Sequence, residues 1–248
     1  MPLPPPFDGR LVAARFLTPG VRELTFERTD GAPMAFEPGQ WINAILPVPA
    51  EPTHPGEIKR SYSIASAPDG TPRFDVAVTR VHAGPGSTYL HAIEPGVTLR
   101  FIGPQGFFTR PATGGPPSLM IATGTGVTPM RSMLGAALAA GSTAPAWVLL
   151  GVRHEQDLLY ADELRAMTAA YPFVRFEPTL SQPGHGWTGR KGYVQTHVRA
   201  LWDELAALGA GEPHAYICGL ERMVGSVREL LRKELTLPRQ QVHSERYD

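Results

Sequence analysis

The chain has 248 residues, 42% of them hydrophobic, which suits one large domain or two moderate ones with packed cores. Its 23 acidic residues balance its 23 basic residues, so overall charge gives no reason to expect a nucleic-acid partner. No apolar run reaches the roughly 18 residues that cross a bilayer, and residues 1–6 lack the basic and apolar regions of a secretion signal. The sequence therefore predicts a cytoplasmic protein that does not associate with membranes.

The N-terminal part alternates short apolar stretches with glycine and proline, a pattern typical of an antiparallel β-barrel. The proline-rich run Pro47–Pro55 is predicted to be a surface loop. Residues 109–117 are also rich in proline and glycine, and the pattern changes after them, so we predict two domains, 1–112 and 113–248. The predicted strands of the first domain are Leu24–Glu27, Trp41–Leu46, Ser61–Ala65, Phe74–Val78 and Thr98–Ile102.

In the second domain, apolar runs alternate with helical patterns, which predicts an α/β fold with a parallel sheet covered on both faces. The predicted strands are Ser118–Ala122, Ala146–Gly151, Phe173–Thr179 and Ala215–Cys218. Four helical segments are predicted. One begins near Pro129, and the others are Leu159–Ala170, the segment around Tyr193–Leu208, and Leu220–Leu235.

Cys218 is the single cysteine of the chain, which excludes an intrachain disulfide and an iron–sulfur cluster held by this chain alone. Electrons that leave the protein must therefore pass to another molecule. The eight histidines show no spacing typical of a zinc site, so no metal is predicted.

The tetrapeptide Arg60-Ser61-Tyr62-Ser63 combines a cation, an aromatic ring and a hydroxyl in one predicted strand. A guanidinium can bind a pyrophosphate, a tyrosine ring can lie against a flavin, and a serine hydroxyl can hydrogen-bond to flavin N5. Alternation puts Arg60 and Tyr62 on one face, so the strand must end or curl at Ser63 if all three bind one ligand. The same residues also suit an ordinary half-buried strand.

Residues Thr123–Pro129 have the sequence TGTGVTP between a predicted strand and a predicted helix. Glycines in such a turn let the backbone approach a phosphate, and the helix N-terminus supplies unpaired amides. Pro129 at the first helical position would lose no hydrogen bond. A nucleotide site is favoured, although the same turn can be a plain tight connection.

Several motifs in order along nearly the whole chain resemble those of the ferredoxin–NADP reductase family, in which a flavin-binding barrel precedes a nicotinamide-nucleotide domain. They are the Arg60–Ser63 motif, Gly84-Pro85-Gly86-Ser87 ahead of Tyr89-Leu90, Gly103-Pro104-Gln105-Gly106-Phe107, Gly124–Pro129, Cys218-Gly219 and Glu245-Arg246-Tyr247.

The resemblance implies roles for residues of the barrel. Ser63 would contact flavin N5, Arg60 would neutralise the pyrophosphate of FAD, and Tyr62 would pack on the flavin ring. Gly86 and Ser87 would offer backbone amides to the pyrophosphate, although residues 84–87 could also be a simple hairpin connection. Gly103-Pro104 and Gly106 are assigned mainly to the fold.

The resemblance also implies roles for the second domain. Thr125, Gly126, Thr128 and Pro129 would bind the nicotinamide nucleotide, and Cys218-Gly219 would lie near the nicotinamide. Glu245, by composition an exposed acid, would be a carboxylate near the nicotinamide and the flavin edge. Tyr247 would cover the flavin and be displaced by nicotinamide, but the plant-type members end at this aromatic residue, whereas Asp248 follows here.

Ser181-Gln182, Arg190-Lys191 and Tyr193-Val194-Gln195 resemble the stretch that binds the adenosine 2′-phosphate in NADP-selective relatives. Gln182 departs from the usual arginine there, so Arg190, Lys191 or Arg153 would supply the charge. Arg153 follows the second strand, where NAD-selective folds often carry an acid, although it could be a plain surface cation. These features favour NADPH over NADH.

The resemblance implies an oxidoreductase that transfers hydride between NADPH and FAD and single electrons between FAD and a ferredoxin or flavodoxin. We expect a monomer. One alternative is an NADH-dependent reductase component of an oxygenase, which commonly carries a ferredoxin domain in the same chain. Another is a flavin-binding electron-transfer subunit without turnover of its own.

Overall fold

The computed structural model describes residues 4–48 and 56–247. Much of the predicted Pro47–Pro55 loop, and Asp248, lie outside the described residues. The chain divides into two compact units. One contains residues up to Arg110 together with Arg131–Ala136, and the other contains Pro111–Met130 and the residues from Ala137 onward.

The first unit is built on six antiparallel strands in the order β4-β3-β6-β1-β2-β5. Beyond the two ends of this sheet, Ile64 forms an antiparallel bridge with Val76, and the amide of Ala65 donates to the carbonyl of Asp75 at 2.8 Å. The sheet therefore closes into a barrel, which confirms the predicted fold class. Its elements are β1 (Phe7–Thr18), β2 (Val21–Arg28), β3 (Trp41–Pro47), β4 (Glu57–Ser63), β5 (Arg73–Thr79), α1 (Pro85–Ala92) and β6 (Thr98–Gln105).

Strand β1 was not predicted, although it is the longest strand of the barrel. Its sequence FDGRLVAARFLT contains a glycine and two arginines, which weaken the apolar signal. Gly9 fits because a Cβ there would lie 2.9 Å from the ring of Phe101. Four phenylalanines pack in the barrel core at centroid distances of 4.9–6.1 Å, namely Phe7, Phe26, Phe74 and Phe101.

The second unit is built on six parallel strands in the order β10-β9-β8-β7-β11-β12, as the α/β prediction requires. Its strands are β7 (Ser118–Thr123), β8 (Ala146–Val152), β9 (Val174–Leu180), β10 (Arg190–Lys191), β11 (His214–Leu220) and β12 (Val242–Tyr247). Its helices are α2 (Val127–Ala139), α3 (Ala161–Ala170), α4 (Gln195–Ala207) and α5 (Glu221–Glu229).

Two predictions in this unit need correction, and two of its strands were not predicted. Helix α2 begins at Val127 after a 3₁₀ turn over Gly124–Gly126, so Pro129 is its third residue rather than its first. Pro129 still lies in the first turn, where amides have no intrahelical partner, so the proline costs no hydrogen bond. Helix α3 begins at Ala161, two residues after the predicted start, and the strands that were not predicted are β10 and β12.

The order in which the chain adds strands to this parallel sheet reverses between β7 and β11. From β7 the chain proceeds to β8 on one side, and it later returns to place β11 on the other side. In open α/β sheets, ligands bind at the carboxyl ends of the strands at such a switch point. Among residues 4–48 and 56–247, no helix is both long and apolar enough to span a membrane.

Candidate cofactor-binding sites

The Arg60–Ser63 motif occupies the end of β4. The strand ends at Ser63, which is the geometry required if the motif serves one ligand. Arg60 is exposed, Tyr62 is half-buried against the barrel core, and Ser63 is buried. Ser61 is bound within the sheet, because its hydroxyl donates to Oδ1 of Asn43 at 2.9 Å. Burial raises the pKa of Tyr62 to about 12, so its ring carries a neutral phenol at neutral pH.

The residues 84–87 form the start of α1 rather than a hairpin connection, with Gly84 as the N-cap. Gly86 lies directly against β4. A Cβ on Gly86 would lie 3.1 Å from Cδ1 of Ile58 and 3.3 Å from Cγ of Arg60. The first turn of a helix has amides without intrahelical partners, and its dipole favours an anion. The structure therefore brings the amides of α1 and the guanidinium-bearing strand together, as a pyrophosphate site requires.

The hydroxyl of Ser87 has a structural role in this loop. Its Oγ accepts from the amide of Val81 at 3.0 Å and donates to the carbonyl of Gly84 at 3.1 Å. These bonds fix the entry into α1. Only the backbone amide of Ser87 remains for a phosphate, which agrees with the role that the family resemblance implies.

Gly103 and Gly106 have packing reasons to be glycine. A Cβ on Gly103 would lie 3.0 Å from Cγ1 of Ile42, and a Cβ on Gly106 would lie 2.8 Å from the indole of Trp41. Both glycines also have positive φ angles. This close packing agrees with their assignment to the fold.

In the second unit, Gly126 and Gly219 pack the β7–α2 turn against the end of β11. A Cβ on Gly126 would lie 2.2 Å from the carbonyl oxygen of Cys218, and a Cβ on Gly219 would lie 2.2 Å from Oγ1 of Thr123. Neither position accepts a side chain unless the surrounding atoms move, which at Gly126 are backbone atoms of β11. The turn is thereby held at the carboxyl ends of β7 and β11, where the switch point predicts a ligand.

Four side chains assigned to nicotinamide chemistry meet at this edge. Cys218 pairs with Glu245 in the β11–β12 register. The hydroxyl of Tyr247 hydrogen-bonds to the sulfur of Cys218, and it lies 3.3 Å from Oγ1 of Thr128. Thr128 Oγ1 also donates to the carbonyl of Thr125 at 2.8 Å. Glu245 is half-buried, so it is not the fully exposed acid that composition alone would predict.

Cys218 is a thiol rather than a thiolate at neutral pH. Burial raises its pKa well above the ordinary range, and the negative charge of Glu245 raises it further. A thiol in such a site is a poor nucleophile. The structure therefore suits Cys218 as a small, polarizable side chain.

The residues assigned to the adenosine 2′-phosphate lie at the carboxyl ends of neighbouring strands. Arg153 follows β8 and Ser181 follows β9, and the amide of Gln182 donates to the carbonyl of Arg153 at 2.9 Å. Lys191 closes β10 and is exposed. Tyr193 has 66% of its surface exposed, as an adenine-stacking ring would require, and Gln195 begins α4.

Arg190 already has a partner inside the unit. Its Nε donates to Oε2 of Glu177 at 2.8 Å, and Arg175 bonds to the other oxygen of the same carboxylate. Burial alone would raise the pKa of Glu177, but the hydrogen bonds and charges of the two arginines lower it. The side chains of Arg153 and Lys191 form no hydrogen bond or ion pair with the other described residues, so they are better placed to receive a phosphate than Arg190.

Sequence reasoning missed Glu177, and it placed Thr123 in the glycine turn without giving its side chain a role. Glu177 holds Arg190, and the only local signal is its i,i+2 spacing from Arg175 on the same strand. Thr123 closes β7, and its Oγ1 accepts from the amide of Leu220 at 3.4 Å. Among the described residues, no group of three or more histidine, cysteine or acidic side chains could hold a metal ion.

Comparison with known proteins agrees with this arrangement. Residues 8–109 match the oxidoreductase FAD-binding domain, and residues 120–229 match the oxidoreductase NAD-binding domain. The close packing of Gly86 on β4 brings the first turn of α1 beside Arg60, and this arrangement of amides and guanidinium fits the pyrophosphate of FAD. The chain is thus a flavin-dependent oxidoreductase with an FAD-binding and an NAD-binding domain.

Individual relatives show to which family of flavin-dependent oxidoreductases the chain belongs. The chain is 59% identical over 244 residues to ferredoxin–NADP reductase B of Sorangium cellulosum, and the match covers 98% of each chain. This protein belongs to the ferredoxin–NADP reductase family. It is also 30% identical to the toluate 1,2-dioxygenase electron transfer component of Pseudomonas putida, over 81% of this chain but 56% of that relative. In fold it resembles a ferredoxin NADP⁺ reductase from Neisseria gonorrhoeae, with a TM-score of 0.78, 20% identity, and coverage of 97% and 98%.

Proposed function

We propose that this chain transfers hydride between NADPH and FAD and exchanges single electrons between FAD and a ferredoxin or flavodoxin. Bound FAD supplies the two-electron and one-electron chemistry. The observation that carries the proposal is the cluster of Thr128, Cys218, Glu245 and Tyr247 beside the glycine turn. The 59% identity to ferredoxin–NADP reductase B supports the same reaction.

In the barrel, Arg60 and the amides of Gly86 and Ser87 would hold the pyrophosphate of FAD. Tyr62 would pack on the flavin ring, and Ser63 would hydrogen-bond to N5. The burial of Ser63 supports this role, because a hydrogen bond shielded from water is stronger than an exposed one.

In the second unit, the turn at Thr125 and Gly126, with Thr128 and Pro129 in the first turn of α2, would hold the pyrophosphate of NADPH. Cys218 and Gly219 would lie beside the nicotinamide. Glu245 would hold or move a proton near it, and Tyr247 would cover the flavin until nicotinamide displaces it. The hydrogen bond from Tyr247 to the sulfur of Cys218 supports a position for this hydroxyl in the nicotinamide site.

Selectivity for NADPH would come from Ser181 and the cations Arg153 and Lys191 at the 2′-phosphate, with Tyr193 stacked on adenine and Gln195 beside it. Arg190 would contribute through its position beside Glu177 rather than as the principal phosphate ligand. The exposure of Arg153 and Lys191 supports this division of roles.

A second candidate function is that of an NADH-dependent reductase component of an oxygenase. Gln182, in place of the arginine of NADP-selective relatives, favours it. So does the 25% identity to the phenol hydroxylase P5 protein of Acinetobacter pittii, although this chain spans 65% of that relative. Cytoplasmic location, a monomeric state and the boundary after residue 112 stay predictions from the sequence.

The experiment is NADPH-dependent reduction of cytochrome c through added ferredoxin or flavodoxin, with NADH as the matched donor. The proposal requires a rate that depends on the added carrier and is greater with NADPH. A carrier-dependent rate that is equal or greater with NADH would favour the second candidate instead.

A further inference from the structure

Arg22 is a buried arginine on β2, with 5% of its surface exposed. Its Nη1 donates to the carbonyls of His91 and Ile93 at 2.8 Å each and to that of Leu90 at 3.3 Å. Its Nη2 lies 3.5 Å from a carboxylate oxygen of Glu94. A buried cation is costly unless it is paired and hydrogen-bonded, and here that requirement is met by the C-terminal end of α1.

The last carbonyls of a helix have no intrahelical partner and carry the negative end of the helix dipole. At the end of α1, Arg22 donates hydrogen bonds to these carbonyls and places a positive charge beside the negative end of the dipole. The helix has only eight residues, and helices of this length do not persist in water without tertiary contacts. Its position therefore depends on the residues that hold its two ends.

The anchors of α1 join its C-terminal end to the barrel and its N-terminal end to the loop that follows β5. His91 bonds through Nε2 to the carbonyl of Val78 at 2.9 Å, and Val78 is the register partner of Arg22 across β2 and β5. At the other end, the hydroxyl of Ser87 holds the entry of the helix to Val81. Both contacts that hold the C-terminal end of α1 are therefore made at one register pair of the barrel, Arg22 and Val78.

We propose that Arg22 is a positioning residue for the flavin pyrophosphate. By holding the C-terminal end of α1, it sets where the amides of Gly86 and Ser87 lie relative to Arg60. Hydrogen bonds to phosphate oxygens require donor–acceptor distances of about 2.7–3.2 Å, so a small displacement of α1 breaks them. This inference rests on the proposed binding of the FAD pyrophosphate at α1.

The test compares ligands with and without a pyrophosphate. The holoenzyme is incubated with increasing riboflavin, and released FAD is quantified after ultrafiltration, which gives the ratio of the dissociation constants for riboflavin and FAD. In Arg22→Gln this ratio is expected to fall about tenfold or more, because one lost hydrogen bond to a charged group has that effect. Arg22→Lys keeps a cation at the carbonyls, so it is expected to give an intermediate ratio.

Arg28→Gln is the matched control. Arg28 lies on the same strand, packs 4.2 Å from the ring centroid of Phe7, and pairs with Asp30. Within the described part of the chain it forms no hydrogen bond or ion pair with α1. Its ratio is expected to equal that of the native protein. An unchanged ratio in Arg22→Gln, or an equal loss of both ligands with a lowered Tm, would overturn the inference. If Arg22→Gln fails to fold, a native ratio in Arg22→Lys would overturn it.

Arg60→Gln separates this inference from the proposal on which it rests. If Arg60→Gln lowers the ratio and the Arg22 variants do not, the pyrophosphate site stands and the role of Arg22 is wrong. If neither Arg60→Gln nor the Arg22 variants change the ratio, the pyrophosphate is bound elsewhere, and both fail.

Discussion

The hydroxyl oxygens of Thr128 and Tyr247 lie 3.3 Å apart, so the end of β12 is hydrogen-bonded to the first turn of α2. The same tyrosine hydroxyl bonds to the sulfur of Cys218 at the end of β11. Three chain segments far apart in sequence therefore meet through one side chain. This contact ties the proposed gate residue to the proposed nucleotide site.

Replacement of Tyr247 tests the gate. Tyr247→Ala is expected to raise the affinity for the nicotinamide cofactor about threefold to tenfold and to weaken discrimination between NADPH and NADH, because an aromatic contact worth about 0.5–1.5 kcal/mol no longer competes with nicotinamide. Titration of the oxidised enzyme with each cofactor measures the change. Tyr247→Phe, which keeps the ring and loses the hydroxyl, is the control and should stay near the native affinity. Unchanged affinities in Tyr247→Ala would count against a gate.

Gly126→Ala tests the close packing of the nucleotide turn. Its Cβ would meet the carbonyl of Cys218, so we expect the free energy of unfolding to fall by about 1–3 kcal/mol and NADPH affinity to drop. Urea unfolding and NADPH titration measure both effects. Gly225→Ala in α5 is the control, because its Cβ would meet no atom within 4 Å. If Gly126→Ala has native stability and native NADPH binding, the close contact between the turn and the carbonyl of Cys218 is not required.

Removal of the exposed cations tests NADPH selectivity. Arg153→Gln and Lys191→Gln are each expected to weaken NADPH binding about tenfold and to leave NADH binding unchanged, because in the proposed site these charges would contact only the 2′-phosphate. Isothermal titration with both cofactors distinguishes the two effects. Arg199→Gln, an exposed arginine of α4 paired with Glu234, is the control. Equal losses for NADPH and NADH would place these cations elsewhere on the nucleotide.

Ser63→Ala tests the contact to the flavin. We expect flavin reduction by NADPH to slow at least tenfold, or about 1.4 kcal/mol, while FAD stays bound. In the proposed site, this variant would lose one hydrogen bond to the reacting ring and keep the pyrophosphate contacts. Rapid-mixing absorbance measures the rate. Ser66→Ala is the control, since the hydroxyl of Ser66 bonds to the backbone amide of Asp75. A near-native rate in Ser63→Ala would remove Ser63 from the mechanism.

The histidine pair at the start of β11 and β12 predicts a pH dependence of stability. Burial lowers the pKa of His243 below its usual 6.5, and the neighbouring His214 lowers it further. Between the usual pKa and the lowered one, the unfolded chain binds a proton at His243 that the folded chain does not. The free energy of unfolding should therefore decrease as the pH falls below about 6.5.

His243→Phe tests this pH dependence, because phenylalanine keeps a ring against Tyr216, whose centroid lies 4.6 Å from that of His243. Urea unfolding at about pH 7.5 and about pH 5.5 should show a smaller loss of stability in the variant, by up to about 1.4 kcal/mol for each pH unit. The same loss in both proteins would exclude His243 as the cause.

The fold could be predicted where the sequence repeats a local pattern. The apolar runs of β7, β8 and β11 are buried on both faces, so composition alone identifies them. β12 has the sequence VHSERY, whose polar residues give no apolar strand pattern. It is an edge strand that forms by pairing with β11, which is distant in sequence. The order of strands around the switch point was equally beyond the local pattern.

The site could be predicted in part. Cys218 and Glu245 were selected through the family resemblance, and the structure places them as register partners. The pairing of Arg190 with Glu177 and the anchoring of α1 by Arg22 could not be predicted, because each joins residues whose proximity depends on the folded sheet.

The most direct test of the account is anaerobic stopped-flow reduction of the purified protein, with the visible flavin absorbance followed after mixing with NADPH or NADH at matched concentrations. The account predicts rapid bleaching with NADPH and much slower bleaching with NADH. Equal or faster bleaching with NADH would contradict the assigned 2′-phosphate site, and no bleaching with either cofactor would contradict the reductase itself.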